Sequence, residues 1–237
     1  MIQLNKVRIS FEDQEVLKGI DLRVEKGETR VILGPSGCGK SVTLKILLGL
    51  LKPDSGTVVI DGQDITNMNE DQLNEVREKM GMVFQGGALF DSMTVRENVA
   101  FKLTELRTIE PEEIDRIVEE KLRYVDLEEA IDMMPADLSG GMKKRVAIAR
   151  AITGNPSILF YDEPTTGLDP ITAKQINKLI IKLAKEGVTS IIVTHELDSA
   201  FMVADTISMI KEGNIIFEGT VEELKNAQDS WIREYLS

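Results

Sequence analysis

The run Gly34-Pro35-Ser36-Gly37-Cys38-Gly39-Lys40-Ser41 fits the spacing G-x-x-x-x-G-K-[ST]. Glycines at these positions let successive backbone N–H groups converge on phosphate oxygens. A helix opening with Lys40, Ser41 and Val42 adds the positive end of its dipole. Lys40 is then placed to reach β- and γ-phosphates, and Ser41 to ligate Mg²⁺. The plainer reading, a glycine turn that only caps a helix, leaves the lysine and the hydroxyl without a task.

A second group is Asp162-Glu163, delivered by the apolar run Ile158 to Tyr161. In open α/β sheets the carboxyl ends of the strands form the ligand-binding edge. Two neighbouring carboxylates there need a cation. Asp162 is read as a Mg²⁺ ligand, direct or through water. Glu163, facing the other way on an extended chain, is read as the group that orients and deprotonates an attacking water. A third group, Leu138-Ser139-Gly140-Gly141-Met142, opens another helix and makes a second anion site. If the two helix N-termini lie on opposite faces, one nucleotide cannot occupy both. The economical reading is that this one serves the nucleotide of a neighbouring copy.

These groups need a scaffold. Alternation at Ile2, Leu4, Val7 and Ile9, then at Val16, Ile20, Leu22 and Val24, predicts two antiparallel strands around a polar turn at residues 12–14. Thr29 to Leu33 is a compact strand feeding the glycine loop, and Lys40 to Leu51 reads as a buried helix. Strands follow at Thr57–Ile60 and Met80–Phe84, the latter stopping at Gln85. From Gly86 to about Asn155 helical periodicity takes over, with capping-box spacing at Thr94 and Glu97 and a helix start at Pro111. Strand and helix then alternate again through Ile158–Tyr161, Ile171–Lys185, Val188–Val193 and Glu196–Val203. The expected organisation is an ATP-binding core of residues 1–85 and 156–220, a helical subdomain at 86–155, and a helical tail at 221–237.

Composition limits what such a scaffold can do. In 237 residues the net charge is -12, and no long basic stripe is present, which excludes a free nucleic-acid binder. The single cysteine, Cys38, excludes an intramolecular disulfide and points to a reducing compartment. Cys38 reads either as a small filler residue or as a thiol whose pKa the helix dipole lowers, reactive when nucleotide is absent. The opening residues lack the form of a signal peptide, and the apolar runs fall short of a membrane span, so export and membrane crossing are not expected.

Taken together and in order, these motifs resemble the nucleotide-binding subunit of ATP-binding cassette (ABC) transporters over nearly the whole chain. The resemblance implies an α/β ABC ATPase with a RecA-like P-loop core, a small antiparallel β-subdomain and an inserted helical subdomain. It makes Gly34 to Ser41 the Walker A loop, Gln85 the Q-loop glutamine that senses Mg²⁺ and water, and Leu138 to Met142 the signature motif. Asp162 becomes the Walker B aspartate, Glu163 the catalytic glutamate, Gly167-Leu168-Asp169 the D-loop, and His195 the switch histidine. Phe11 stands where the family stacks an aromatic on adenine, most often Tyr. ATP and Mg²⁺ are the implied ligands. In a head-to-tail homodimer, Ser139, Gly141 and Asp169 would face the partner's ATP.

Within the family, Met142 replaces the usual Gln at the end of the signature. That ending, the segment Phe84 to Ala100 and the stretch Asn226 to Leu236 resemble the ATPases of Mla-type phospholipid transporters, although Gly86 stands where Ser is expected. The resemblance implies an integral membrane permease, a lipid-binding MCE-domain protein and, as an optional partner, a small regulatory subunit. It also implies a peripheral position on the cytoplasmic face of the inner membrane. Leu89, Phe90 and Met93 would line the groove that receives a short permease helix. The readings held beside this are an importer ATPase for a small solute such as an amino acid, and a non-transport ABC protein.

Overall fold

The structure, a computed structural model, describes residues 2–12, 14–106 and 109–237; Asp13, in the expected first turn, lies outside them. The chain opens with β1 (Ile2–Phe11) and β2 (Gln14–Val24), paired antiparallel with Ile2 opposite Val24. Next come β3 (Thr29–Leu33), α1 (Lys40–Leu47), β4 (Ser55–Ile60), β5 (Gln63–Asp64), α2 (Glu70–Arg77) and β6 (Met80–Val83). The helical stretch holds α3 (Val95–Leu106), α4 (Pro111–Tyr124) and α5 (Gly140–Ile152). The chain then runs through β7 (Ile158–Asp162), α6 (Pro170–Lys185), β8 (Thr189–Thr194), α7 (Leu197–Val203), β9 (Thr206–Lys211), β10 (Asn214–Gly219), α8 (Val221–Lys225) and α9 (Ser230–Leu236).

Two sheets result. One is antiparallel, ordered β2-β1-β4-β5; the other has six strands, ordered β10-β9-β3-β8-β7-β6. The pairs β9–β3, β3–β8, β8–β7 and β7–β6 are all parallel. All five residues of β3 and all six of β8 are buried, as expected of strands covered on both faces. Because side chains alternate along a strand, each strand feeds two cores. Val31, Leu33, Leu159, Tyr161 and Ile192 pack into one core with the helices from α3 to α7. Ile32, Phe160, Ile191 and Val193 pack into the other with α1 and the antiparallel sheet.

Local signals explain the helix starts. Thr94 and Glu97 form the expected reciprocal cap, with the Thr94 N–H donating to Glu97 at 2.7 Å and the Glu97 N–H to Thr94 at 3.2 Å. Pro111 opens α4, where its missing N–H costs nothing. Two expectations are corrected. The helix after the glycine loop ends at Leu47 rather than Leu51, because Gly49 turns into the left-handed region at φ 67° and leaves Leu50 exposed. The strand expected at Thr57–Ile60 starts at Ser55 instead, and it pairs with β1 and β5 in the antiparallel sheet.

Candidate functional site

Parallel register brings the chemistry to one edge. Leu33 lies opposite Thr194, Asp162 opposite Val193, and Val83 opposite Tyr161. The residues that leave these strand ends are Gly34, His195, Glu163 and Gln85, so four groups far apart in sequence converge at one carboxyl edge.

The glycine loop has the shape of an anion cradle. A side chain at Gly34 would stand 2.3 Å from the Ile210 carbonyl oxygen, so no other residue lets the loop leave the sheet there. Gly39 caps α1 from the left-handed region without a side-chain acceptor, leaving the first N–H groups of the helix, at Lys40, Ser41 and Val42, to a ligand. Among the described residues Lys40, 7% exposed, donates only to the main-chain oxygens of Gly34 at 2.7 Å and Pro35 at 3.0 Å. A buried ammonium without a carboxylate partner is an electrostatic argument for an incoming anion. Cys38 corrects the idea of a reactive thiol. It is buried, and desolvation raises its pKa above the ordinary value despite the nearby Lys40.

Ser41 Oγ donates to Asp162 Oδ1 at 3.2 Å, which joins the end of the glycine loop to the end of β7. Desolvation raises the Asp162 pKa, the Ser41 bond opposes this, and the neighbouring Glu163 charge adds to it. A half-buried carboxylate beside a hydroxyl is a donor set suited to a hard divalent cation.

Glu163 is not on an extended chain, as its position after β7 had implied. Its backbone is left-handed at φ 48°, and that turn, rather than strand alternation, separates it from Asp162. The carboxylate is 8% exposed and fully engaged. Thr166 and Thr194 hydroxyls donate to Oε2 at 3.0 and 3.1 Å, and His195 Nδ1 lies 2.9 Å from Oε1. Burial pushes the Glu163 pKa up, but the bonds from His195, Thr166 and Thr194 outweigh it and hold the carboxyl below its usual range. A carboxylate partner makes Nδ1 of His195 the donor, and Nε2 makes no hydrogen bond within the described residues.

The other expected residues lie nearby or on adjoining surfaces. Ser139 caps α5, its Oγ accepting from the Met142 N–H at 3.3 Å, and a side chain at Gly141 would meet Thr172 at 2.3 Å. Leu138 is buried, Gly140 is exposed, and Met142 packs against the helical core. Asp169 uses its carboxylate to cap α6, accepting from the Ile171 and Thr172 N–H groups at 3.0 and 3.1 Å. Gln85 is exposed after β6, and Phe11 is 43% exposed at the end of β1.

Several neighbours were not foreseen. A cavity of ≈ 330 Å³ runs along the glycine loop from Pro35 to Cys38, between Val16 on β2 and Gly213 in the β9–β10 turn, and Trp231 of α9 closes one wall. Sequence gave the tail no chemical role, because only the fold carries α9 back to the loop. Lys144, buried in α5, also reaches this edge by donating to the Gln85 and Glu163 carbonyl oxygens. A separate apolar groove is lined by Met80, Met82, Phe84, Ala88, Phe90 and Phe101. Of the three residues expected there, Phe90 is exposed in the groove, whereas Leu89 packs into the helical core and Met93 does not line it.

The profile of the ABC transporter family matches residues 17–166. The chain belongs to that family. It is an ABC ATPase cassette, the ATP-hydrolysing part of a transporter. It is 39% identical over all 237 residues to the intermembrane phospholipid transport system ATP-binding protein MlaF of Haemophilus influenzae, covering 90% of that protein. It is 40% identical over 229 residues to the methionine import ATP-binding protein MetN 1 of Bacillus cereus, of which it spans 66%. Among solved structures, the dimeric post-hydrolysis cassette MJ0796 bound to ADP and Pi superposes with a TM-score of 0.86 at 35% identity, over 93% of this chain and 99% of that one. No helix among the described residues is long and apolar enough to cross a membrane.

Proposed function

We propose that this cassette drives phospholipid transport through a separate permease and an MCE-domain protein, from the cytoplasmic face of the inner membrane. The observation that carries this reading is the 39% identity that spans the whole chain and 90% of the Haemophilus phospholipid-transport protein. The Gly-Gly-Met ending at Met142 agrees with it. A second reading, import of a small solute such as an amino acid, is favoured by the equally high identity to the methionine-import protein.

The mechanism follows from the side chains. Two copies pair head to tail. The loop Gly34–Val42 and Phe11 of one chain hold ATP; Ser139, Gly141 and the D-loop around Asp169 of the other complete the site. Ser139 exchanges its helix-capping bond for a phosphate oxygen, and Lys40 turns from two carbonyls to the β- and γ-phosphates. Ser41, Asp162 and Gln85 would hold Mg²⁺, which when bound neutralises charge on the β- and γ-phosphates. Glu163, ionised and fixed by two threonines and His195, accepts a hydrogen bond from the attacking water and orients it. His195 faces the γ-phosphate with Nε2, and donation there requires the doubly protonated ring, because its Nδ1–H is committed to Glu163. The helical segment 86–155 moves relative to the core, and the groove at Phe84 and Phe90 passes that motion to a permease helix.

Two measurements test these statements. Trp231 is the only tryptophan, so its emission reports on the loop cavity directly. Titration with ATP is expected to shift that emission to shorter wavelength as nucleotide displaces water, with a midpoint equal to the independently measured Kd. Unchanged emission at saturating ATP would exclude this cavity from the nucleotide site. For the substrate, the tagged protein is purified from gently solubilised native membranes and its eluate analysed by mass spectrometry. A permease with an MCE-domain protein and enriched phospholipid is expected. A permease with a soluble solute-binding protein and no lipid enrichment would transfer the chain to the importer reading.

A further inference from the structure

Lys144 is a long cationic side chain on α5, five residues after the signature Ser139, and only 5% of it is exposed. A buried ammonium normally faces a carboxylate at contact distance. Among the described residues Lys144 has no such ion pair. Its Nζ donates to two main-chain oxygens, those of Gln85 and of Glu163, the latter at 3.0 Å. Desolvation lowers its pKa, and the charges of Glu196, Asp162 and Glu163 oppose that loss. The two carbonyls, rather than any carboxylate, fix the position of the ammonium.

The choice of carbonyls is informative. Arg150, one and two-thirds helical turns further along α5, grips the same loop from its other end, donating to Gly87 and Ala88 oxygens at 2.7 Å each. Lys144 adds a second attachment, because the Glu163 carbonyl belongs to the left-handed turn that aims the catalytic carboxylate. One ammonium thus joins three pieces that have separate tasks: the helix that starts at the signature, the loop of Gln85, and the turn of Glu163. Charge-assisted bonds to neutral carbonyls in a dry setting are strong and break as a unit.

We infer that Lys144 is a positioning residue, tying the signature helix to Gln85 and Glu163 of the same chain so that displacement of α5 displaces the water-orienting group. In the head-to-tail pair proposed above, on which this inference rests, α5 is the helix whose N-terminus would meet the partner's ATP. Lys144 then makes the state of one nucleotide site felt at the other.

The test compares Lys144→Met, which keeps length and removes both bonds, with Lys144→Gln, which restores an N–H donor. Thermal melting serves as the control for folding, since Lys144→Met leaves the Gln85 and Glu163 carbonyls without this donor and lowers stability, and both readouts are taken below the onset of melting. Two readouts are taken: steady-state ATPase kinetics, and amide hydrogen exchange in peptides covering residues 84–90 and 160–167. Lys144→Met is expected to lower kcat by about tenfold with KM changed less than about twofold, because the loss falls on orientation rather than on binding. Exchange should accelerate in both peptides together, and Lys144→Gln should recover part of each effect. Wild-type kcat with unaltered exchange in the two segments overturns the inference. So does faster exchange confined to residues 84–90, since Lys144 would then serve the loop alone. If instead hydrolysis in the wild-type background survives Glu163→Gln, the assignment of Glu163 fails, and the exchange data still decide whether the tie exists.

Discussion

Glu163→Gln is expected to lower kcat by about 10² to 10⁴-fold while leaving ATP affinity within a few-fold of wild type. The exchange preserves shape and removes one thing, the second anionic oxygen. In the native site Oε2 accepts from Thr166 and Thr194, and Oε1 faces His195 Nδ1. The amide of Gln satisfies the threonines with its oxygen, so its NH₂ is turned toward His195. The imidazole must then present Nδ1 as an acceptor, and the tautomer that follows carries its proton on Nε2. One substitution therefore removes the negative charge that orients water and reverses the polarity of its neighbour. Phosphate release measured beside equilibrium ATP binding checks both halves. Turnover at the wild-type rate would remove Glu163 from the chemistry.

The direction of the Glu163 pKa refines its role. The hydrogen bonds from His195, Thr166 and Thr194 overcome burial and hold the carboxyl below its usual range. A carboxylate made less basic in this way is a poorer proton acceptor in the ground state and a steady hydrogen-bond acceptor for water. In the mechanism proposed above, orientation is thus the larger part of what Glu163 supplies, in keeping with phosphoryl transfer, where positioning and charge stabilisation dominate.

What was legible in the sequence, and what was not, divides along contact range. The glycine loop, the Asp162-Glu163 pair and the strands that carry them were readable because each is a local pattern: a buried β-branched run, then residues with special backbone or charge. The capping box at Thr94 and Glu97 was readable for the same reason. Cys38 was left with two readings because proximity to a helix dipole is visible in sequence, whereas the burial that decides for the small buried residue is not. The turn at Glu163 was likewise hidden, since a left-handed glutamate has no propensity signal and persists only because Val193, Thr166, Thr194 and His195 hold it there. Lys144 and Trp231 could not be placed at all. Their partners lie 59 and about 195 residues away in the chain, and only the crossing of α5 and the return of α9 bring them to the edge.

The second large effect is expected at the other end of the phosphate chain. Lys40→Met should weaken ATP binding by about 10² to 10³-fold, the loss of one or two charge-assisted hydrogen bonds to phosphate. The reasoning rests on how the lysine is held without ligand. Its ammonium is nearly inaccessible and bonded only to the Gly34 and Pro35 carbonyls, each of which belongs to the loop it must later help to close around phosphate. No carboxylate competes for it at contact distance among the described residues, so exchanging two neutral acceptors for two anionic oxygens releases no opposing ion pair. Methionine fills the same channel and leaves the buried Gly34 carbonyl and the part-buried Pro35 carbonyl without this donor. Folding should survive with the melting temperature of the nucleotide-free protein lowered by a few degrees and its rise on adding ATP abolished. Calorimetric titration gives the affinity, and the melting curves separate lost binding from lost structure. ATP affinity within threefold of wild type in a folded Lys40→Met protein would mean that the backbone cradle alone supplies the binding energy.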